Sequence, residues 1–262
     1  MKNNESQQLP DKAPKVKVYG QRAVKKVLDL RFDDIISLLL DESLKKTLDK
    51  EWSAVLKLMA KASKPYNFVQ KNQLDALAKS KHHEGFLIFV RDKAHLTFAE
   101  WTKNQAKIGI KTDFIFVLVG IKNPHNLGAI LRNAAFFGVK TVILSDCAKI
   151  SLSSLRISEG GAEHLELIED SRLQELVAYF SDGKYSMVGT SSHAKKSLKH
   201  FTFTKKTAIF FGEEKDGLPQ FLLDRLDDFI AIKGSDAIES LNVSATTAVV
   251  AFEWSRQCQI NL

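Results

Sequence analysis

Apolar residues recur along this chain in two rhythms, one of helical period and one of short continuous runs. In the first third, Gln21–Leu28 (QRAVKKVL) has helical spacing, and Leu44–Lys61 repeats Leu48, Trp52, Val55, Leu56 and Met59 on one helical stripe. Lys71–Lys79, with Leu74 and Leu77, predicts a third, shorter helix. Between them, Asp34–Leu40 (DIISLLL) and Gly85–Val90 (GFLIFV) are apolar runs of strand length. Alternation of this kind predicts a small α/β domain over residues 16–91. It follows a polar tail at 1–15, which carries Pro10 and Pro14, and precedes a charged connector at 92–110.

The rest of the chain, residues 111–262, repeats the pattern on a larger scale. Strands are expected at Phe114–Val119, Thr141–Leu144, Glu166–Ile168, Ser186–Thr190, Thr207–Phe211 and Asp228–Ile232. Helices are expected at Leu127–Phe137, Leu173–Tyr179, Gln220–Arg225 and Val243–Gln257. Strands that are apolar throughout, separated by helices, predict a parallel sheet covered on both faces. Phe136, Phe137, Phe210 and Phe211 read as core.

Composition narrows the function classes. With 262 residues, 44% hydrophobic and 26% charged, the chain has the make-up of one or two globular domains. No apolar run approaches the ~18 residues of a membrane span. The opening residues lack the apolar stretch of a signal peptide, so a cytoplasmic protein with no membrane association is expected. Cys147 and Cys258 are far apart and fit no metal spacing; they read as reduced thiols, and no metal is expected. The net charge is +7, but residues 1–110 hold 21 Lys+Arg against 13 Asp+Glu, and residues 111–262 hold 17 against 18. The positive excess thus falls entirely on the N-terminal part. Such a concentration suits a polyanion-binding surface, and a solvated surface explains it equally well.

Three segments of the second half carry candidate chemistry. The first, NPHNLGAILRNAAFFG at 123–138, leads from a strand into a helix; Asn126 is near the helix start and Arg132 follows six residues later. Helix-start N–H groups with an Asn suit an anion or a ribose, although an ordinary cap with a surface arginine accounts for the segment alone. His125 in this segment reads as structural. The second, IFFGEEKDGLP at 209–219, ends an apolar strand at Gly212 and places Glu213 and Glu214 where open α/β sheets bind ligands; a solvated acidic loop is the plain alternative. The third, SLNVS at 240–244, sets Ser240, Asn242 and Ser244 around a helix start, which capping also explains.

Taken together and in this order, N-x-G-x-x-x-R at 126–132, G-x-E-x-x-G-L at 212–218 and S-L-N-V-S at 240–244 resemble the SpoU (TrmH-like) family of the SPOUT superfamily. SEGGAEH at 158–164 is similar to that family's central region. YGQRAV at 19–24 and HHEGF at 82–86 resemble the two ends of the L30e-like substrate-binding domain that many members carry. The resemblance implies an α/β protein with a knotted (trefoil) parallel-sheet methyltransferase domain, preceded by a small RNA-binding domain. It implies S-adenosylmethionine as cofactor, RNA (tRNA or rRNA) as substrate, a ribose 2′-OH as methyl acceptor, and a homodimer with Val243–Gln257 as interface helix.

The family's site residues fall on Arg132, which favours loss of the 2′-OH proton, and on Asn126, Glu214, Ser240 and Asn242, which orient it and the ribose. Glu214, two residues after Gly212, takes the position of the motif acid, and Glu213 the variable one. Cofactor contacts fall on Gly212, Ile232, Leu241 and Asn242, with Thr190 bordering the adenosine. IAIKG at 230–234 departs from the family's I-P-x-x-G at Ala231. His82 and His83 are expected to meet solvent or RNA. Two other readings stay open: a catalytically inactive RNA-binding protein of ribosome assembly, and methylation of a base nitrogen.

Overall fold

The computed structural model describes residues 15–92, 96–108, 113–169, 171–213, 215–235 and 237–258. Of the expected tail, residues 1–14 lie outside these, while Lys15 belongs to a strand. The N-terminal unit is a four-stranded sheet of order β1-β4-β2-β3, built from β1 (Lys15–Tyr19), β2 (Ile35–Asp41), β3 (Tyr66–Val69) and β4 (Phe86–Arg91). β4 runs antiparallel to β1 and β2, and β3 is parallel to β2. Helices α1 (Gln21–Leu30) and α2 (Lys50–Lys61) bury Val24, Val27, Trp52 and Met59 against one face. Helix α3 (Lys71–Ala78) packs Leu74 with Leu87 on the other. Asp49 starts α2 by accepting a hydrogen bond from the Trp52 N–H at 2.8 Å.

His83, expected to meet solvent or RNA, is instead buried. Its Nδ1 accepts from the Gly85 N–H at 3.0 Å, so Nε2 carries the proton and donates to Asp75 Oδ1 at 2.9 Å. His82, beside it, is exposed.

The C-terminal unit is a seven-stranded sheet, parallel throughout. Its strands are β5 (Asp113–Val119), β6 (Thr141–Ser145), β7 (Glu166–Ile168), β8 (Ser186–Thr190), β9 (Lys196–Ser197), β10 (Lys206–Phe211) and β11 (Asp228–Ala231), in the order β7-β6-β5-β10-β8-β11-β9. Strand periodicity divides each strand between two cores. Phe114, Phe116 and Leu118 of β5 face one core with α5 (Pro124–Phe136) and α9 (Val243–Gln257). Ile115, Val117 and Val119 face the other, with α7 (Leu173–Asp182) and α8 (Gln220–Leu223). Because both faces are covered, the central strands carry unbroken apolar stretches, such as Phe114–Val119 of β5 and Ala208–Phe211 of β10.

Residues 92–110 are more than a connector. They contain α4 (Phe98–Ile108), whose Trp101 is fully buried in the second core and donates through Nε1 to Glu166 at 3.2 Å. Short α6 (Leu152–Ile157), opened by a Ser151–Ser154 capping box, was also missed. Phe136, expected in the core, is 71% exposed, whereas Phe210 and Phe211 are fully buried.

The two units meet along α6 and the turn that follows it. Leu155 packs against the N-terminal core and the α5-side core of the C-terminal unit. Three arginine–glutamate pairs cross the boundary: Arg22–Glu159 at 2.8 Å, Arg31–Glu163 at 3.4 Å and Arg156–Glu84 at 3.1 Å. Arg31 also donates to the Arg91 carbonyl at 2.5 Å.

Candidate active site

Three adjacent parallel strands, β10, β8 and β11, end at Phe211, Thr190 and Ala231. The loops that leave their C-terminal ends converge with the segment before α9 to form a cleft of about 470 Å³. This volume falls in the range of pockets that hold drug-sized ligands, roughly 300–1,000 Å³. Thr190, Gly212, Ile232, Ser240 and Leu241 border it, and Ile230 and Val243 add apolar wall. The Thr190 hydroxyl donates to the Phe210 carbonyl at 3.2 Å, fixing the end of β8 against β10.

Gly212 is required by packing. A Cβ there would stand 2.3 Å from the carbonyl carbon of Gly217 and 2.7 Å from the Leu218 nitrogen. The loop folds back this tightly because the Gly217 N–H donates to the Glu213 carbonyl at 2.9 Å, with Gly217 at φ +67°. The result is a wall of bare backbone facing the cleft, next to apolar side chains. Such a wall suits a ligand with a flat heteroaromatic ring and polar edges.

A polar cluster lies beside the cleft, where the first turns of α5 and α9 meet. Asn123 is the cap of α5, accepting from the His125 N–H at 2.9 Å, and Pro124 takes the first helical position. Capping thus falls to Asn123, and Asn126 stands in the first turn of the helix. Its Oδ1 accepts from Asn242 Nδ2 at 3.1 Å. Asn242 is itself the α9 cap: Oδ1 accepts from the Ser244 N–H at 2.9 Å and from the Ser244 hydroxyl at 2.6 Å. Asn133, about two turns further along α5, donates to the Ser244 carbonyl at 2.7 Å. The two helices are thus sewn together by side-chain amides, with Leu241 before the α9 cap and Val243 after it bordering the cleft.

Arg132 projects from α5 with half its side chain exposed, and its Nη1 pairs with Glu159 Oε1 at 3.1 Å.

These strands, loops and helix ends match a known arrangement. A family model for the SpoU rRNA methylase family covers residues 113–252, more than half of the chain. The chain belongs to the SpoU rRNA methylase family. A second model, for the substrate-binding region of RNA 2′-O ribose methyltransferases, covers residues 17–96. Among relatives, an uncharacterized tRNA/rRNA methyltransferase, YfiF of Escherichia coli O157:H7, is 30% identical over 94% of this chain and 69% of its own length. The 23S rRNA (guanosine-2′-O-)-methyltransferase RlmB of Photobacterium profundum is 29% identical over 93% of this chain and 98% of its own. Among solved structures, the SpoU methyltransferase AviRb of Streptomyces viridochromogenes, in complex with AdoMet, superposes with a TM-score of 0.75 at 20% identity, covering 94% of this chain and 91% of that one. The fold is accordingly that of the SPOUT methyltransferases.

Within the SpoU domain, the expected residues divide between two places. Thr190, Gly212, Ile232, Ser240 and Leu241 border the cleft. Asn126 and Asn242 form the polar cluster, and Arg132 stands on the same helix as Asn126. Glu214 lies outside the described residues. His193 and Glu239, which were not singled out in the sequence, also border the cleft, their side chains 3.7 Å apart and both exposed. Their position after β8 and before α9 was the available signal, since ligands in open parallel sheets bind beyond the carboxyl ends of the strands. Cys147 and Cys258 are both free; burial, the largest influence, pushes the Cys147 thiol up to about 11.

Proposed function

We propose that this protein is an S-adenosylmethionine-dependent RNA methyltransferase that transfers a methyl group to a ribose 2′-OH of tRNA or rRNA. The observation that carries this reading is the conjunction of the backbone-walled cleft at Gly212 with the Asn126–Asn242 cluster beside it. Both lie in a SpoU domain whose relatives are named as 2′-O-methyltransferases.

S-adenosylmethionine would supply an electrophilic methyl group on a sulfonium. Gly212, Ile232 and Leu241 would hold it through backbone groups and Thr190 would border its adenosine, the apolar walls excluding water from the ring. A neutral ribose hydroxyl is a poor nucleophile and must lose its proton as it attacks. Arg132 serves by stabilising, with its cationic guanidinium, the negative charge that develops on the ribose oxygen. Asn126, Asn242 and Ser240 present neutral donors and acceptors that orient the ribose without competing for its proton. Glu214, the acid of the G-x-E motif, is assigned with them on sequence position.

The N-terminal unit, matched by the substrate-binding model and carrying the excess positive charge, would capture RNA through its phosphates. A homodimer is part of this reading. Phe136 of α5 and Phe252 of α9 are 71% and 54% exposed, and Val249 lies one turn from Phe252. An exposed aromatic patch of this kind on two packed helices is suited to a two-fold contact with a second copy. No described helix is long and apolar enough to cross a membrane, and the protein is assigned to the cytoplasm with its RNA.

The test is Arg132→Ala. It should abolish transfer of labelled methyl groups to RNA while leaving S-adenosylmethionine affinity by calorimetry within about twofold, since Arg132 acts on the ribose rather than the cofactor. Full activity in this variant would refute the assigned chemistry.

A further inference from the structure

Glu159, inside the SEGGAEH segment, is the point at which the two units and Arg132 come together, and the proposed function gives it no role. One carboxylate oxygen pairs with Arg132 Nη1 at 3.1 Å and the other accepts from Arg22 Nη1, on α1 of the N-terminal unit, at 2.8 Å. Glu159 holds this bridge from a costly backbone: its φ is +48°, in the left-handed region that a side chain with a Cβ rarely occupies.

The turn around it is fitted to both neighbours. A Cβ on Gly160 would stand 2.3 Å from Lys26 Cβ of α1, and one on Gly161 would stand 3.1 Å from the Cα of Arg132. Residues 158–161 are therefore wedged between the helix that carries Arg132 and the first helix of the N-terminal unit. An exposed ion pair of this type adds little to stability. Glycine at position 159 would remove the backbone cost, as it does at the next residue, Gly160, whose φ is +85°. That a glutamate stands there instead calls for a reason other than folding.

We propose that Glu159 is a positioning residue for Arg132. Tethering one terminal nitrogen restricts rotation of the half-exposed guanidinium. Arg22 fixes Glu159 in turn, so that the orientation of the arginine depends on the docked N-terminal unit. The inference rests on the reading of Arg132 given above.

The decisive variant is Glu159→Gly in the full chain, assayed with labelled S-adenosylmethionine on rRNA and tRNA isolated from cells lacking the protein. Because the substitution relieves backbone strain, the thermal midpoint should hold or rise. kcat should fall at least about tenfold, with KM for RNA and cofactor nearly unchanged, as expected when a reacting group loses its aim. Glu159→Gln, which keeps an acceptor for one arginine, should recover part of the loss. In the free protein, nitrogen-15 spectra should resolve distinct Nη signals for Arg132, and these should merge in Glu159→Gly as the guanidinium rotates freely. Arg22→Ala should lower kcat in the parent and add nothing in the Glu159→Gly background.

An unchanged or raised kcat in Glu159→Gly, with Arg132→Ala inactive, would overturn the positioning role. So would Arg132 signals that are the same with and without Glu159. An active Arg132→Ala would instead overturn the reading of Arg132 itself, and the positioning role with it.

Discussion

At the scale of single residues, each site side chain is specified by what its neighbours leave for it to do. Asn123 caps α5, and Asn126 meets Asn242. Asn242 performs two tasks with its two polar atoms, capping α9 through Oδ1 and reaching Asn126 through Nδ2. The capping that the sequence allows for SLNVS is present at Asn242, and the ribose-orienting role proposed for it would use the same side chain. Gly212 is the position with the least tolerance. In Gly212→Ala the new Cβ meets backbone atoms of Gly217 and Leu218, which cannot swing aside as a side chain would. S-adenosylmethionine binding in that variant should weaken at least about tenfold by calorimetry, with far-ultraviolet circular dichroism unchanged. Binding at parental strength would mean that the loop opens without cost.

Element by element, the sequence was most legible where burial is two-sided. β5, β8 and β10 appear as apolar runs because alternate side chains enter different cores. Val243–Gln257 was visible as one uninterrupted helix with the boundaries that the structure gives. The elements that escaped are those stabilised by tertiary contacts that no local pattern records. β1 begins at Lys15 in a polar stretch and is held by pairing with β4. β3 lies at a sheet edge, and α4 is anchored by Trp101. Arg132 was singled out by its motif, but its pairing with Glu159 was not readable, because the two are joined only by the fold.

β5 also offers a titration. Asp113 opens the strand, and burial, the largest influence, raises its carboxyl above the usual range; Tyr185 donates its hydroxyl to it at 2.7 Å. The folded form thus binds the proton more tightly than the unfolded chain. Stability from this group is present below the unfolded carboxyl pKa and is lost as pH rises through the folded value. Asp113→Asn keeps an acceptor for Tyr185 and removes the buried charge. Its thermal midpoint at neutral pH should equal or exceed the parent's, and the decline between acid and neutral pH should be shallower. A clear drop at neutral pH would show that the ionised carboxylate is favoured there.

On the scale of the whole molecule, the two units share a boundary of apolar and charged contacts. Leu155 reaches both cores, and three arginine–glutamate pairs cross the boundary, Arg31–Glu163 being the most buried. The charge count takes on meaning here. The SpoU domain has no positive excess, and the proposed function therefore has RNA drawn in by the unit that carries Arg22. The α5–α9 pair displays Phe136, Val249 and Phe252 at its surface, so Phe136 is not the core residue that its apolar character predicts. Phe252→Glu puts a charge into that patch. Sedimentation should show a dimer for the parent and a monomer for the variant; a parental monomer would contradict the assembly.

The central claim is transfer of a methyl group to ribose, and alkali tests it most directly. RNA from cells lacking the protein is incubated with the purified chain and S-adenosylmethionine carrying a labelled methyl group, then hydrolysed in base. A methylated 2′-oxygen cannot attack its neighbouring phosphate, so the label should survive in alkali-resistant dinucleotides and vanish when Arg132→Ala replaces the parent. Label released entirely in mononucleotides would place the methyl on a base and contradict the account.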